Sequence, residues 1–327
     1  MNQIVGAVKS ADLIIRTLLG VKPHEQILII SDEETDMDMV YSLAAVANTL
    51  GAEYTIAIMR GRGVEDAHML TKPIAKALEG SDVVIGITKT SYAPSYAPEV
   101  LKLLKERKIR YMSMIMRTME NWIKGAATAD YVEMHKLSQK LVKILEGGRN
   151  VRITTESGTN ITGIIEGRKA VVEDGWATEP GQAAAFSDGE VAISPIEGSA
   201  EGILIVDGPI SYMGKGWPDE PVKLVVKKGR VVNVEGGRWA DRLREWIFGV
   251  ENADNVAEFS IGINPRSRRT GDISEEKKGL GNVHIGIGEN RYYGGIVGSP
   301  LHIDMVIYNS TYELDGFTIV ERGRLLI

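Results

Sequence analysis

The chain has 327 residues, 38 Lys+Arg against 44 Asp+Glu, five His and no Cys. That length exceeds one ordinary core and predicts two domains, while the absence of thiols excludes disulfides, Cys-type zinc sites, iron–sulfur clusters and a Cys nucleophile. A net charge of −6 argues against nucleic acid as the main partner, because phosphate neutralisation needs a basic face.

Any metal must therefore be held by His nitrogens and carboxylate oxygens. No run approaches 18 consecutive apolar residues, and the N-terminal stretch lacks a signal-peptide layout, so no membrane partner is expected and the default location is cytoplasmic. The composition changes near Gly147-Gly148. Residues 1–148 hold 18 basic and 18 acidic side chains, which leaves 20 and 26 for residues 149–327, so the whole acidic excess belongs to the second part. The expected domains are an α/β scaffold over 1–148 and a metal-binding catalytic domain over 149–327.

In chain order, a helix is predicted over Ile4–Leu19. Short apolar runs at Ile27–Ile30, Tyr54–Met59, Val83–Ile87 and Tyr111–Met116 then alternate with helical patterns at Met37–Leu50, Pro73–Leu78 and Pro98–Glu106, and a further helix is predicted over Val132–Leu145. Strand–helix alternation predicts a parallel sheet covered on both faces. Gly61-Arg62-Gly63 lacks the third Gly and the following Lys-Ser/Thr of a phosphate loop, and reads as an ordinary loop. After residue 149 the chain is strand-rich: Val222–Val226 and Val231–Val234 form a hairpin pattern, followed by an amphipathic helix over Ala240–Phe248. The fold class is thus α/β, with an N-terminal parallel-sheet domain followed by a mixed α+β domain that carries the site.

Residues two apart in a strand share a face. In Leu301-His302-Ile303-Asp304-Met305, His302 and Asp304 point one way and the large apolar side chains the other. His284 shares its face with Gly286 and Gly288, Glu258 with Ser260 and Gly262, and Glu190 with Ala192 and Ser194. A solvated face would carry Thr, Lys and Arg; Gly, Ala and Ser beside each ligand group describe a concave, filled site. Two His and three carboxylates are enough donors for two divalent ions with a bridging carboxylate and water. His24, His68 and His135 read as solvated or locally bonded. The basic loop Asn264–Gly271 reads as solvated rather than as a substrate clamp, Tyr292-Tyr293 as a packed turn or the mouth of the site, and Trp176, Trp217, Trp239 and Trp246 as core or interface residues.

Four ordered stretches, Gly189-Glu190-Val191 with Pro195–Ser199, Ala257-Glu258, His284–Gly288 and Ser299–Asp304, resemble the thermophilic-type metallo-aminopeptidases, which include aminopeptidase T. The resemblance implies an N-terminal α/β domain, a C-terminal mixed domain, a homodimer, and a two-metal site (Zn, Co or Mn) on Glu190, Glu258, His284, His302 and Asp304. Where that family places a Tyr shortly after the His284-type residue, this chain has Arg291; Tyr292 or Tyr293 takes that place only with a local shift.

The leading expectation is accordingly a metallo-aminopeptidase, a hydrolase acting on small peptides through a metal-activated water, with Glu190 or Glu258 as the catalytic proton shuttle and Arg291, Tyr292 and Tyr293 toward the substrate. Glu197 is a weaker shuttle candidate with a structural role. An alternative uses His284, His302 and Asp304 alone, a two-His, one-carboxylate set suited to a single non-haem Fe(II); in this respect the sequence is similar to the 2,5-dihydroxypyridine ring-cleaving dioxygenases. A third reading is a metal-binding protein without turnover.

Overall fold

The computed structural model describes residues 3–63, 66, 68–116 and 118–327. They form two compact units: Met1–Tyr131 with Glu173–Asp188, and Val132–Val172 with Gly189–Ile327. The division therefore falls at other residues than the composition change near Gly147-Gly148. The helix Tyr131–Glu146 lies, but for its first residue, in the second unit, because Leu141 and Leu145 are buried in that unit's core. The segment Glu173–Asp188 returns to the first unit, where Ala183–Ala185 adds a strand to its sheet.

The first unit is built on a five-stranded parallel sheet in the order Glu53–Met59, Gln26–Asp32, Val83–Thr88, Arg110–Ile115, Ala183–Ala185. Its central strand Val83–Thr88 is buried along its whole length, as a near-continuous Val/Ile run in a sheet covered on both faces must be. The helices between the strands start and stop on local signals. Asp36 accepts from the Asp38 backbone N–H at the N-terminus of Met37–Leu50, and Gly51 closes that helix at φ 79°, a conformation open to glycine at little cost. The N-terminal helix differs from the single α-helix expected: it is α over Gln3–Asp12 and π over Leu13–Leu18. Gly61-Arg62-Gly63 lies in a loop, as expected.

The second unit holds two sheets. One has eight strands in the order Arg230–Glu235, Val222–Lys227, Glu201–Val206, Asn160–Ile164, Asn150–Thr154, Thr311–Leu314, Phe317–Glu321, Arg324–Leu325. Its predicted hairpin turns at Lys228 (φ 48°) and Gly229 (φ 73°), the paired left-handed conformation that matches strand twist. The other sheet runs His302–Ile307, Val283–Gly288, Val256–Gly262, Glu190–Ile193, Val171–Glu173. Val191, Ile193, Phe259, Ile261, Ile285, Ile287, Ile303 and Met305 share one core with Val151, Ile153, Leu204 and Leu224 of the eight-stranded sheet and with Leu243 and Ile247 of the helix Arg238–Gly249. Each such side chain contributes about 1.5–3 kcal/mol of burial. This core occupies one face of the second sheet and thereby assigns the opposite face to the polar residues. Among the described residues no helix is long and apolar enough to cross a membrane.

In the first unit one buried carboxylate ties two loops together. Asp32 accepts from the backbone N–H of Lys89, Thr90 and Ser91 at 3.2, 2.9 and 2.9 Å and from the Thr35 hydroxyl at 2.7 Å. Burial would raise its pKa, but these donors outweigh it and hold the carboxyl at about 2 against an ordinary 3.8. A depressed folded pKa stabilises the fold above the unfolded value and loses that contribution as the pH falls through the folded one, here from roughly pH 4 toward pH 2. Asp32→Asn is expected to remove about 2 kcal/mol at pH 7 and to flatten the stability profile in that acid window, both read from urea unfolding at stepped pH.

Candidate metal centre

The four ligand-bearing strands are consecutive neighbours in one antiparallel sheet, and their register decides which side chains meet. Asp304 pairs with Gly286, and Gly286 with Glu258; His302 pairs with Gly288; His284 pairs with Ser260, and Ser260 with Ala192; Glu190 pairs with Gly262. Every ligand group therefore has a Gly, Ser or Ala beside it on its neighbouring strand, save where His284 faces Val306 across the ladder. A register shift between Val256 and Glu258 marks a bulge at the edge of this row, a common device for re-aiming a side chain beside a site.

The small residues are occupied space. A Cβ on Gly286 would lie 2.6 Å from Glu258 Cγ and 2.9 Å from both Cε1 and Nε2 of His302, so these two side chains cross directly above that glycine. A Cβ on Gly262 would lie 2.2 Å from the Gly279 carbonyl oxygen and 2.8 Å from that of Lys277. The backbone of 277–279 thus runs across the ligand face over Gly262. It is held there by Asn264, whose N–H donates to the Lys278 carbonyl at 2.8 Å and whose carbonyl accepts from Leu280 at 3.0 Å.

Three side chains, Glu258, His302 and Asp304, each offer an atom within 4.8 Å of the others'. His302 Nε2 lies 3.0 Å from Asp304 Oδ1 and 3.4 Å from Glu258 Oε2, and His284 Nε2 lies 2.8 Å from Glu258 Oε1 and 3.6 Å from Glu190 Oε2. His284, Glu258 and Glu190 are fully buried, whereas the side chains of His302 and Asp304 are 22% and 12% exposed, so the centre opens on their side. His302 Nδ1 donates to the Glu289 carbonyl at 2.8 Å. A carbonyl only accepts, so this bond keeps a proton on Nδ1 and turns Nε2 toward the carboxylates.

Glu190 Oε2, both oxygens of Glu258, both ring nitrogens of His284, His302 Nε2 and Asp304 Oδ1 are buried and have no hydrogen-bond partner among the described residues. Unpaired buried donors and acceptors on this scale are costly unless a cation completes them, and a nitrogen and oxygen donor set with no sulfur fits a divalent metal. The local charges respond to one another. Burial would raise the Glu258 carboxyl, but the imidazoles of His284 and His302 hold it at about 2. Burial would lower His302, but Asp304 and Glu258 hold it well above the usual imidazole value, and Glu190 and Glu258 raise His284 in the same way.

All five predicted ligand residues, Glu190, Glu258, His284, His302 and Asp304, are brought together. Of the residues expected toward the substrate, Tyr293 is buried and stacks on His302 at 5.1 Å between ring centroids, and the half-exposed Tyr292 meets Tyr293 edge-on. Arg291 points elsewhere, its guanidinium paired with Glu289 at 2.8 and 2.9 Å. Glu197 accepts from Asn290 and the Ile296 backbone and pairs with Arg168, the structural role expected. The basic loop is packed: Arg268 pairs with Glu275 and Arg269 lies over the Tyr308 ring at 3.8 Å. His68 packs against Tyr92 and Tyr96, and burial lowers its pKa.

The residue that sequence reasoning missed is Lys277. Its Nζ lies 2.9 Å from Glu190 Oε1 and 3.2 Å from Asp304 Oδ2. In Ser274-Glu275-Glu276-Lys277-Lys278 it reads as part of a solvated charged turn, and no periodicity separates it from its neighbours. Glu289 was missed as well, because its contribution to His302 comes from a backbone carbonyl.

A family model described as NicX, 2,5-dihydroxypyridine 5,6-dioxygenase, matches residues 16–327. A 2,5-dihydroxypyridine 5,6-dioxygenase of Pseudomonas putida KT2440 is 27% identical over 192 residues, a stretch that spans 55% of each chain, so the match covers about half the length of that relative. Among solved structures, the 2,5-dihydroxypyridine dioxygenase of Pseudomonas putida KT2440 superposes with a TM-score of 0.81 at 20% identity, covering 98% of this chain and 96% of that one. Wild-type AmpT from Thermus thermophilus superposes with a TM-score of 0.72 at 16% identity, covering 99% of both. At these identities both structures establish the fold alone. The α/β architecture expected from the sequence is thus the observed one. The expected aminopeptidase family, with its peptide hydrolysis, is not: the family match and the Pseudomonas relative are dioxygenases, and the likeness to AmpT is one of fold.

Gly286→Ala tests whether the ligand face is as crowded as its register implies. The added methyl displaces Glu258 and His302, and the expected loss is about 1–3 kcal/mol, the range for overpacking. Denaturant unfolding of the metal-free protein reads it; an unchanged midpoint would contradict the crossing of those two side chains.

Proposed function

We propose, on the premise that the chain belongs to the NicX family, 2,5-dihydroxypyridine 5,6-dioxygenase, that it is an Fe(II)-dependent oxidoreductase that opens the ring of a dihydroxylated nitrogen heterocycle. The observation that supports this reading is that His302, Asp304 and Glu258 offer donor atoms within 4.8 Å of one another, while His284 on the adjacent strand reaches the group through Glu258 at 2.8 Å and the Glu289 carbonyl turns His302 Nε2 inward. Two His and one carboxylate with open positions are the usual ligation of non-haem Fe(II) oxygenases. The substrate class is taken from the Pseudomonas relative.

Fe(II) held there would supply the one-electron chemistry that dioxygen needs to react with an aromatic ring. The protein's own groups do the rest. Glu258, held ionised between the two imidazoles, keeps a negative charge beside both ring nitrogens and so favours a cation among them. Tyr293, stacked on His302, fixes the imidazole plane and, with Tyr292, presents an aromatic wall to a flat ring near the open side of the centre. Full burial of His284, Glu258 and Glu190 keeps water from that end.

Anaerobic loading with Fe(II) followed by 2,5-dihydroxypyridine and oxygen is expected to consume one O₂ per ring opened, with loss of the heteroaromatic absorbance. The same protein loaded with Co²⁺ or Zn²⁺ is expected to leave a leucine anilide intact. Anilide hydrolysis without oxygen uptake would overturn the reading. His302→Ala is expected to reduce bound iron at least tenfold while the far-ultraviolet dichroism stays unchanged; iron retained at the wild-type level would remove His302 from the ligand set.

A further inference from the structure

The centre holds more donor groups than one ion uses, and one of its neighbours is a cation already. Lys277 Nζ is within ion-pair distance of Glu190 Oε1 and Asp304 Oδ2, and its side chain is 13% exposed. Each of these carboxylates gives one oxygen to the ammonium and turns the other toward an imidazole: Glu190 Oε2 lies 3.6 Å from His284 Nε2, and Asp304 Oδ1 lies 3.0 Å from His302 Nε2. The oxygens on the lysine side are satisfied, and those on the imidazole side have no hydrogen-bond partner among the described residues. The carboxylate row is thereby divided into a half that faces a fixed cation and a half that faces the imidazoles.

We propose that the Lys277 ammonium stands in the place of a second metal ion and restricts this centre to a single divalent cation. The inference rests on the reading of the centre as a metal site and goes beyond it by assigning what sets the number of ions. Charge supports it. Glu190, Glu258 and Asp304 carry three negative charges; one divalent ion and one ammonium carry three positive ones, and two divalent ions beside Lys277 would leave a buried excess of two. Uncompensated buried charge is strongly unfavourable.

Position supports it too. Lys277 follows the short helix Ile273–Glu276, whose two glutamates are engaged elsewhere, Glu275 by Arg268 and Glu276 by Tyr308 and the Gly271 N–H. The backbone at 277–279 lies over Gly262, the register partner of Glu190. The ammonium is therefore delivered beside Glu190 by a tethered segment, at an effective concentration that a free ion in solution does not match.

The test is the metal count of the intact protein with Mn²⁺ as the probe, by equilibrium dialysis and elemental analysis, together with electron paramagnetic resonance to separate an isolated ion from an exchange-coupled pair. Wild type is expected to hold one Mn²⁺ per chain. Lys277→Met, which keeps the length and removes the charge, is expected to hold two with a coupled spectrum, and Lys277→Arg one. Should the Met variant fail to fold, Lys277→Gln, which keeps a hydrogen-bond donor, carries the same expectation. One ion in the neutral variants would overturn the role of Lys277 and leave the metal centre standing. Two ions in the wild type would overturn this inference and the single-iron reading together, and none would remove the metal centre itself.

Discussion

Three carboxylates buried on one face of a sheet are the constraint around which the second unit is arranged. Glu190, Glu258 and Asp304 are drawn out of water beside one another, and like charges at such distances destabilise a fold unless cations accompany them. A lysine brought across the sheet and two imidazoles set against the same carboxylates answer that requirement. The apolar face of the same strands gives the fold the stability to hold such a cluster, since Val191, Phe259, Ile285, Ile303 and their neighbours belong to one continuous core.

The sheet accommodates this cluster by leaving side chains out. Gly286 admits the crossing of Glu258 and His302, and Gly262 admits the backbone that carries Lys277. Both positions trade local strand propensity for close approach. The basic loop and the charged turn that follows it, Arg268 against Glu275 and Arg269 over Tyr308, act as a clasp for that backbone.

The same architecture serves unrelated chemistries. AmpT and the Pseudomonas dioxygenase both superpose on this chain over nearly its full length, so the fold by itself does not choose between hydrolysis and oxygen chemistry. What distinguishes the candidates is local: how many ions the carboxylates accept, and what faces the open side of His302. An expectation drawn from the ordered ligand residues alone selects the wrong family, because nitrogen and oxygen donors in that order suit either chemistry, and the family match over residues 16–327 corrects it.

Much of the molecule was legible in the sequence. Period-two alternation in His302–Ile307 and Val283–Gly288 placed the polar face correctly, because one face of those strands had to meet an apolar core. The strand–helix alternation of the first unit predicted its parallel sheet, and Met37–Leu50 has the bounds that its cap residues announce. The adjacency of the four ligand strands, the return of Glu173–Asp188 to the first unit and the place of Lys277 depend on contacts between segments far apart in the chain. Alternation along a strand reports which way a side chain points, since that is set by its immediate backbone. Which other segment it then faces is settled only when burial of the shared core brings the strands into register, and this is why a lysine in a run of charges became legible as part of the centre only in three dimensions.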